Sequence, residues 1–250
     1  MEIDGSMYAL RNTSPKWLPT DSFENYQKNV LEHPTVMKQW EGVDITYDMN
    51  EYGFRSPPFS ESNNNIVVLG CSHTVGVGLP LEKTWAYLVS EALGMNLCNL
   101  AVIGGSNDTC YRLGSYWIPI LKPKIVIHKV VSEYRFEMKV TPLESDFQYW
   151  HSFLPAHDNT KTEHINFGDF YSQWVSSEDN LNINRQKNID AIEMVSSRVG
   201  SKFYDIPEGA PSKFGKQGME NLARDLMHPG AEQNKYFSEK ILEEIEHGKK

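Results

Sequence analysis

The sequence predicts an α/β fold, because buried strands and amphipathic helices alternate along it with short connections. An apolar run at 65–70 predicts a first buried strand, and residues 83–93 then place apolar side chains at helical spacing. A second strand, a second helix and a third strand follow by residue 131. Strands joined in this way by helices pair in parallel, so we expect one sheet covered by helices on both faces.

Boundary residues support each element. The first strand stops at a glycine, and Gly94 ends the helix over 83–93, as glycines commonly do. A short polar turn caps the second helix, whose apolar stripe ends before Pro123. The predicted strands are 65–70, 96–102, 125–131 and a short one at 202–206. The predicted helices cover 83–93, the stretch between the turn at 104–108 and Pro123, residues 182–199, and the residues beyond Pro229-Gly230.

Length and composition limit the functional classes. The chain has 250 residues and no linker-like stretch, which favours one large domain. Its formal net charge is −9 with both signs interspersed, and this argues against a nucleic-acid surface. No apolar stretch approaches about 18 residues and no secretory leader is visible, so we expect no membrane span. The oligomeric state is left open.

The three cysteines, Cys71, Cys98 and Cys110, show no metal-like spacing. Each falls in or beside a predicted strand or helix, so we expect buried free thiols. Free thiols fit a reducing compartment, which favours a cytoplasmic location.

Three regions differ from the regular alternation. Residues 1–6 resemble a short leader added by a cloning vector. Residues 7–60 carry scattered aromatic side chains without a sustained period, and we expect an N-terminal arm packed on the main domain at 61–250. Within that domain, residues of about 133–180 form a polar, aromatic-rich insertion, of the length that commonly serves function or carries its own elements.

Two short motifs carry chemistry. Gly70-Cys71-Ser72 places a hydroxyl on a tight turn directly after the first strand, at the carboxyl edge where open α/β sheets hold their sites. Far downstream, Asp225 and His228 stand three positions apart, a spacing of one helical turn. An acid and an imidazole are the two groups that turn a serine into a nucleophile. The sequence therefore predicts a serine esterase.

These motifs resemble the blocks of the SGNH (GDSL-type) hydrolases, over about residues 65–246. Gly70-Cys71-Ser72-His73-Thr74 resembles the first block, with a cysteine where the family has aspartate. Asn99 to Gly104 resembles the second block, and Asp225-Leu226-Met227-His228 resembles the last. The third block, Gly-x-Asn-Asp, is absent, because the chain reads Val131-Ser132-Glu133-Tyr134-Arg135 there. The resemblance implies a flavodoxin-like, three-layer α/β/α sandwich.

The resemblance also implies roles. Ser72 would be the nucleophile, His228 the general base and Asp225 the group that orients the imidazole. The N–H groups of Ser72 and Gly104 would form the oxyanion hole. Ser132 stands nearest to the missing asparagine and is our choice for the third donor. Asn107 and Arg135 are further substrate-binding candidates, and Arg135 could hold a substrate anion. We prefer the structural alternatives, in which Asn107 and Asp108 cap a helix and Arg135 pairs with Glu137.

Structural alternatives exist for the same residues. Ser72 could cap the following turn, and Asp225 could be a surface cap with His228 at a helix start. Cys71 is a second possible nucleophile, but neighbouring side chains point apart, so only one of the two meets His228. We prefer Ser72.

The insertion offers two more hypotheses. Its aromatic side chains, among them Trp150 and Trp174, either stack on sugar rings or form a satellite hydrophobic cluster. Its imidazole and carboxylate groups suggest a metal site, but their spacing fits no standard one, so no metal is expected. These residues are His151, His157, Asp158 and His164.

The sequence thus predicts hydrolysis of a short acyl ester on a carbohydrate or other small molecule, without a metal or organic cofactor. The alternative is a weakly active or inactive module of the same fold that binds a glycan within a larger assembly, which the missing asparagine favours. No nucleic-acid partner is expected.

Overall fold

A computed structural model describes residues 10–60, 62–140, 149–154, 168–207 and 218–248. The strands in these ranges are β1 (Asn65–Leu69), β2 (Asn96–Asn99), β3 (Ile125–Lys129), β4 (Phe136–Val140), β5 (Tyr149–Phe153) and β6 (Lys202–Ile206). The α-helices are α1 (Phe23–Glu32), α2 (Pro34–Met37), α3 (Ser72–Val75), α4 (Trp85–Leu93), α5 (Asn107–Leu121), α6 (Gly168–Val175), α7 (Glu178–Arg198) and α8 (Ala231–His247).

Four strands form the predicted parallel sheet, in the order β2-β1-β3-β6. An order in which the first strand lies between the second and third is flavodoxin-like. The predicted strands 96–102 and 125–131 end early, at Asn99 and Lys129. Beyond these points the backbone keeps single hydrogen bonds, such as Leu100 N–H to Val68 O at 2.9 Å, but leaves the regular ladder to form the loops of the site.

Helices cover both faces of the sheet, as predicted. Side chains that alternate along the strands pack against α5 and α7 on one face and against α4 and α8 on the other. On the first face, Leu69 and Val126 meet Leu113 of α5 and Ile192 of α7. The result is a three-layer α/β/α arrangement with the loops after β1, β2 and β3 together at the carboxyl edge.

The arm packs against that edge. Its apolar side chains, including Trp40, Ile45 and Tyr47, form one buried cluster with Val77 after α3 and Ala223 near the C-terminal motif. The sequence showed no period here although α1 is a ten-residue helix. Helix α1 buries none of its residues completely, and its apolar side chains Phe23 and Tyr26 pack against Trp17 of the arm.

The insertion contains elements that the sequence analysis left unassigned. Strands β4 and β5 pair antiparallel, with Phe136 opposite Phe153, and α6 follows. The signal for β4 was present, since apolar and polar residues alternate from Phe136 to Val140. Helix α7 begins at Glu178 instead of 182, because Ser177 accepts a hydrogen bond from Asn180 N–H and caps it.

Candidate active site

Ser72 lies on a tight turn directly after β1. A Cβ at Gly70 would collide with the Thr74 hydroxyl and lie 3.3 Å from Lys129 Cβ, so the close approach requires glycine. Cys71 is the N-cap of α3, and Ser72 is its first residue. The Ser72 N–H and hydroxyl have no hydrogen-bond partner among the described residues. Both groups are therefore free to meet a ligand.

Cys71 points elsewhere. Its side chain is buried in the hydrophobic cluster between the sheet and the α5 layer. All three cysteines are buried and free, as predicted. Both residues are buried, at 8% and 9% exposure, but only Cys71 belongs to that apolar cluster, and this packing favours Ser72 over Cys71 as the nucleophile.

Asp225 and His228 are joined by a compact hydrogen-bonded turn. Asp225 Oδ2 lies 2.5 Å from His228 Nδ1, and Oδ1 accepts the N–H groups of Met227 and His228 at 3.1 Å each. The spacing suggested one turn of helix, but the turn is not helical, because Leu226 adopts a left-handed conformation with φ of 55°. A non-glycine residue in that conformation costs about 1–3 kcal/mol. The Leu226 side chain packs on the buried cluster that contains Ile45 and Tyr47, and this packing offsets part of the cost.

Burial decides between two roles for Asp225. The carboxylate is only 4% exposed, so it is not the surface cap considered above. Burial alone raises the pKa of Asp225, but the hydrogen bond and charge of His228, with the backbone N–H groups of Met227 and His228, outweigh it and lower the pKa. The carboxylate stays ionised and fixes His228 with Nδ1 toward it, which leaves Nε2 for chemistry.

The loop after α3 brings the serine segment against this turn. Gly78, at φ of 77°, accepts the Arg224 N–H at 3.1 Å, and a Cβ there would lie 2.8 Å from Ala223 Cβ. The ring of His73 lies edge-on to the ring of His228, with centroids 5.3 Å apart. Within the described residues no hydrogen bond joins the Ser72 hydroxyl to His228. Catalytic hydrogen bonds of this kind are often long in free enzymes and tighten with substrate.

His73 was not singled out by the sequence analysis. Removal from water, followed by the positive charges of His228, Lys129 and Arg135, lowers the pKa of His73. Part of the His73 residue stays in contact with solvent, which moderates this effect, but the direction leaves His73 neutral near pH 7. The same causes locate Lys129 and Arg135 within electrostatic range of the serine segment.

Backbone donors follow β1 and β2 at the same edge. Gly104 has φ of 72°, and its N–H, like that of Ser72, has no partner in the part of the chain described. Ser132, after β3, is half-buried, and its carbonyl accepts the Arg135 N–H at 3.1 Å. The structure thus brings the three predicted oxyanion groups to one edge of the sheet.

Asn107 has a structural position. Its amide nitrogen donates to Val131 O at 2.7 Å, and its amide oxygen accepts Val131 N–H at 2.9 Å. The side chain is 1% exposed, so it joins α5 to the loop after β3 and is not available to substrate. The N-cap of α5 is Ser106, not Asn107 or Asp108. Asp108 instead accepts hydrogen bonds from α7 and from Glu137 N–H.

The expected pair of Arg135 with Glu137 is wrong. Glu137 is held by Arg112, whose Nε and Nη2 lie 2.7 and 2.9 Å from its two carboxylate oxygens. Arg112 was the better partner because it is buried on α5, directly across from β4. The plane of Arg112 also lies 4.7 Å from the Trp150 ring, which is 37% exposed.

Four aromatic side chains of the insertion pack together as a satellite cluster: Phe136, Phe153, Tyr171 and Trp174. Phe136 stacks on Phe153 with centroids 4.7 Å apart and contacts Tyr171 and Trp174 at 5.9 and 5.8 Å. Trp174 therefore packs within the insertion. Trp150 is the more accessible of the two tryptophans proposed for sugar contact.

His151 contacts the Phe153 ring, whereas His157, Asp158 and His164 lie outside the described residues. Within the described ranges no three metal-binding side chains cluster. No helix in those ranges has the length and apolar character to cross a bilayer.

A buried polar network holds the serine segment and the Asp225 turn to the arm. Arg224 binds Asp21 through two hydrogen bonds of 2.9 and 2.6 Å, and its guanidinium stacks on Trp17. Tyr47 donates to Asp21 and accepts the Gly78 N–H at 2.8 Å. We call Asp21, Tyr47 and Arg224 the arm brace. Nothing local in the sequence marks it, because Asp21 and Arg224 are 203 positions apart.

Arg55 adds a second connection from the arm. Its guanidinium donates to the carbonyls of Val75, Gly76 and Leu79, and it stacks on Tyr47 at 4.4 Å. These carbonyls end α3 and form the following loop, so Arg55 fixes the backbone behind Ser72.

No protein-family model and no curated protein match the chain. Solved structures with a similar fold include TesA, at 13% identity and a TM-score of 0.44, over 71% of this chain and 96% of that one. The esterase EstA from Pseudoalteromonas sp. is 11% identical with a TM-score of 0.37, over 74% and 97%. A carbohydrate esterase family 2 enzyme from Corynascus thermopiles is 19% identical with a TM-score of 0.37, over 76% and 67%. The structural neighbours are thus SGNH (GDSL) esterases and lipases, and what this chain shares with them is an α/β fold with a four-stranded parallel sheet flanked by helices.

Proposed function

We propose that the chain is a serine esterase that hydrolyses a short acyl ester on a carbohydrate or other small molecule. The observation that carries the proposal is the Asp225–His228 pair. A buried, ionised carboxylate orients an imidazole whose free nitrogen belongs to the turn packed against the Ser72 segment. Such a pair next to a serine with a free hydroxyl is the arrangement that activates a nucleophile.

The reaction would follow in two halves. Ser72 Oγ attacks the ester carbonyl carbon while His228 Nε2 takes its proton, and the carbonyl oxygen becomes negative. The N–H groups of Ser72 and Gly104, with the Ser132 hydroxyl, stabilise that oxygen. The intermediate then expels the alcohol, which receives the proton from His228. Water attacks the acyl-serine by the same steps in reverse and releases the acid.

A second function, a weakly active or inactive glycan-binding module, is favoured by one feature. The chain has Val131-Ser132-Glu133 where the resembled family carries an asparagine donor. Loss of one oxyanion donor commonly lowers turnover about a hundred- to a thousandfold. Wild-type protein that binds oligosaccharides but turns over no ester would support this alternative.

The experiment is steady-state hydrolysis of p-nitrophenyl acetate by wild type, Ser72→Ala and Cys71→Ala. Ser72→Ala should lower turnover at least about a thousandfold, because members of a triad act as a unit. Cys71→Ala is the matched control from the neighbouring position and should keep most of the rate. Retained turnover in Ser72→Ala together with loss in Cys71→Ala would overturn the assignment of the nucleophile.

A further inference from the structure

The loop after β3 carries an arginine, Arg135, that has no acidic partner among the described residues. Two carboxylates flank Arg135 along the chain, but Glu133 lies 3.4 Å from Arg185 and Glu137 is bound by Arg112. Arg135 Nε is buried and has no hydrogen-bond partner within the described ranges. Its Nη1 reaches only Gly105 O at 3.5 Å, which is long for a hydrogen bond. The described part of the chain therefore leaves this partly buried guanidinium without an anion.

The position of this cation is next to the reacting groups. Gly105 directly follows Gly104, whose free N–H belongs to the proposed oxyanion hole. The charges of Arg135 and Lys129 both act on His73, the neighbour of Ser72. A Cβ at Gly104 would meet only Leu154 within 4 Å, so the described chain leaves room beside this donor. A small ligand held by Ser72 and Gly104 would therefore lie beside Arg135.

The local charge is opposite to that of the whole protein. The chain has a formal net charge of −9, so its overall field repels anions. Lys129 and Arg135 make the edge near Ser72 locally positive, and the carboxylate of Asp225 is already committed to His228. A positive patch of this kind selects ligands through short-range contacts.

We propose that the ester substrate carries a negatively charged group, a carboxylate or a phosphate, which binds Arg135 beside Gly104. This inference rests on the proposed esterase function and names its substrate class. Arginine suits the role because its planar fork offers paired donors to either anion. A carboxylate and a phosphate share this chemistry, because each offers at least two acceptor oxygens. The experiment therefore tests a carboxylate ester and a phosphate ester separately.

The test compares anionic esters with neutral esters of similar shape. The first set is 4-acetoxybenzoate, 4-acetoxyphenyl phosphate and the neutral 4-acetoxybenzamide, which place the charge on the alcohol side. The second set is the 4-nitrophenyl monoester of glutaric acid and the 4-nitrophenyl ester of glutaramic acid. The first carries a free carboxylate on the acyl side, and the second has a neutral amide in its place. In at least one set, kcat/KM should favour an anionic member about tenfold or more, mainly through KM, because a charge-assisted contact contributes about that factor.

Substitutions test whether Arg135 causes the preference for anionic esters. Arg135→Gln should bring the anionic-to-neutral ratio of kcat/KM close to one, and Arg135→Lys should keep part of it. Lys139→Gln, an exposed cation on the same hairpin, is the matched control and should keep the full ratio. Added NaCl should reduce the ratio in wild type. Equal rates for charged and neutral esters in both sets, or an unchanged ratio in Arg135→Gln, would overturn the inference.

A binding measurement keeps this result separate from catalysis. Calorimetry with 4-hydroxybenzoate, 4-hydroxyphenyl phosphate and glutarate, against 4-hydroxybenzamide, should show anion binding that Arg135→Gln weakens about tenfold or more. Anion binding through Arg135 without hydrolysis of any ester would refute the proposed function and leave the anion site standing. Hydrolysis with no charge preference would refute the anion site and leave the esterase standing.

Discussion

The two sides of the candidate site differ in how their polar groups are satisfied. On the side of Asp225 and His228, the carboxylate accepts three hydrogen bonds and the arm brace holds the preceding residue. On the side of Gly104 and Arg135, the Gly104 N–H and Arg135 Nε have no protein partner among the described residues. Groups that must keep one geometry are fixed by the protein, and groups that lack partners are those a ligand would satisfy.

The largest effect is expected from breaking the Asp225–His228 contact. Asp225→Asn should lower kcat about a thousandfold or more, because an amide no longer holds the imidazole in the correct tautomer. The wild-type rate should rise with pH and then level off, because a general base acts only in its unprotonated form. The lowered pKa values of Asp225 and His73 keep Asp225 ionised and His73 neutral near pH 7, so neither adds a second step there.

A profile of kcat/KM from pH 5 to 9 measures this, because the step in kcat/KM reports the essential base of the free enzyme. His73→Asn should leave a single step in the profile. A rate that appears only with added divalent metal, or a wild-type profile with two steps in this range, would contradict the assignment of the base.

The arm brace should show a smaller effect, on both stability and rate. Asp21→Asn leaves the buried Arg224 charge unpaired, which should lower the free energy of unfolding by about 3–5 kcal/mol. Tyr47→Phe is milder, because it removes only the hydroxyl between Asp21 and Gly78, and should cost about 1–3 kcal/mol. Denaturant unfolding measures these values.

In folded Tyr47→Phe protein, kcat should fall about tenfold with little change in KM, since the brace positions the base and does not touch substrate. Lys16→Gln is a control on the same arm, because its ion pair with Asp44 is exposed. An unchanged kcat in Tyr47→Phe would show that the brace has only a structural role.

On the side of Gly104 and Arg135, Ser132→Ala should lower kcat about tenfold if the Ser132 hydroxyl is the third oxyanion donor. Asn107→Ala is the contrasting variant, since Asn107 is bound to the Val131 backbone on both amide atoms and should act through stability. Turnover at saturating substrate, with the unfolding midpoint of each variant, separates the two. An effect below about threefold for Ser132→Ala would mean that the two backbone N–H groups suffice.

The smallest effect is expected in the insertion. Trp150→Ala should impair hydrolysis of an acylated oligosaccharide several-fold more than that of p-nitrophenyl acetate, because its partly exposed ring is free to stack on a sugar. Trp174→Ala should affect both substrates alike, since that ring packs near Phe136. Equal losses for Trp150→Ala on both substrates would indicate packing alone.

The sheet and its covering helices were predictable because their signals are local. Apolar runs, helical spacing and the glycine after β1 lie within a few residues of each other. The proximity of Asp225 and His228 was also predicted, but through a helical turn. The left-handed Leu226 that forms the actual turn has no sequence signal.

The arm brace and the partners of Arg135 could not be predicted in this way. Asp21 meets Arg224, and Glu137 meets Arg112, only after distant segments have packed together. Charge complementarity alone allowed Glu137 to pair with Arg135 as readily, and burial on α5 decided for Arg112. Polar contacts of the tertiary structure need the fold before they can be assigned.

The central claim is that Ser72 is a nucleophile activated by His228. Intact-protein mass spectrometry after reaction with a fluorophosphonate ester tests it directly, because this reagent attaches covalently to an activated serine. The account predicts one adduct in wild type, mapped to Ser72, no adduct in Ser72→Ala and labelling slowed at least about a hundredfold in His228→Gln. Wild-type protein that stays unlabelled, or a His228→Gln variant labelled as fast as wild type, would contradict it.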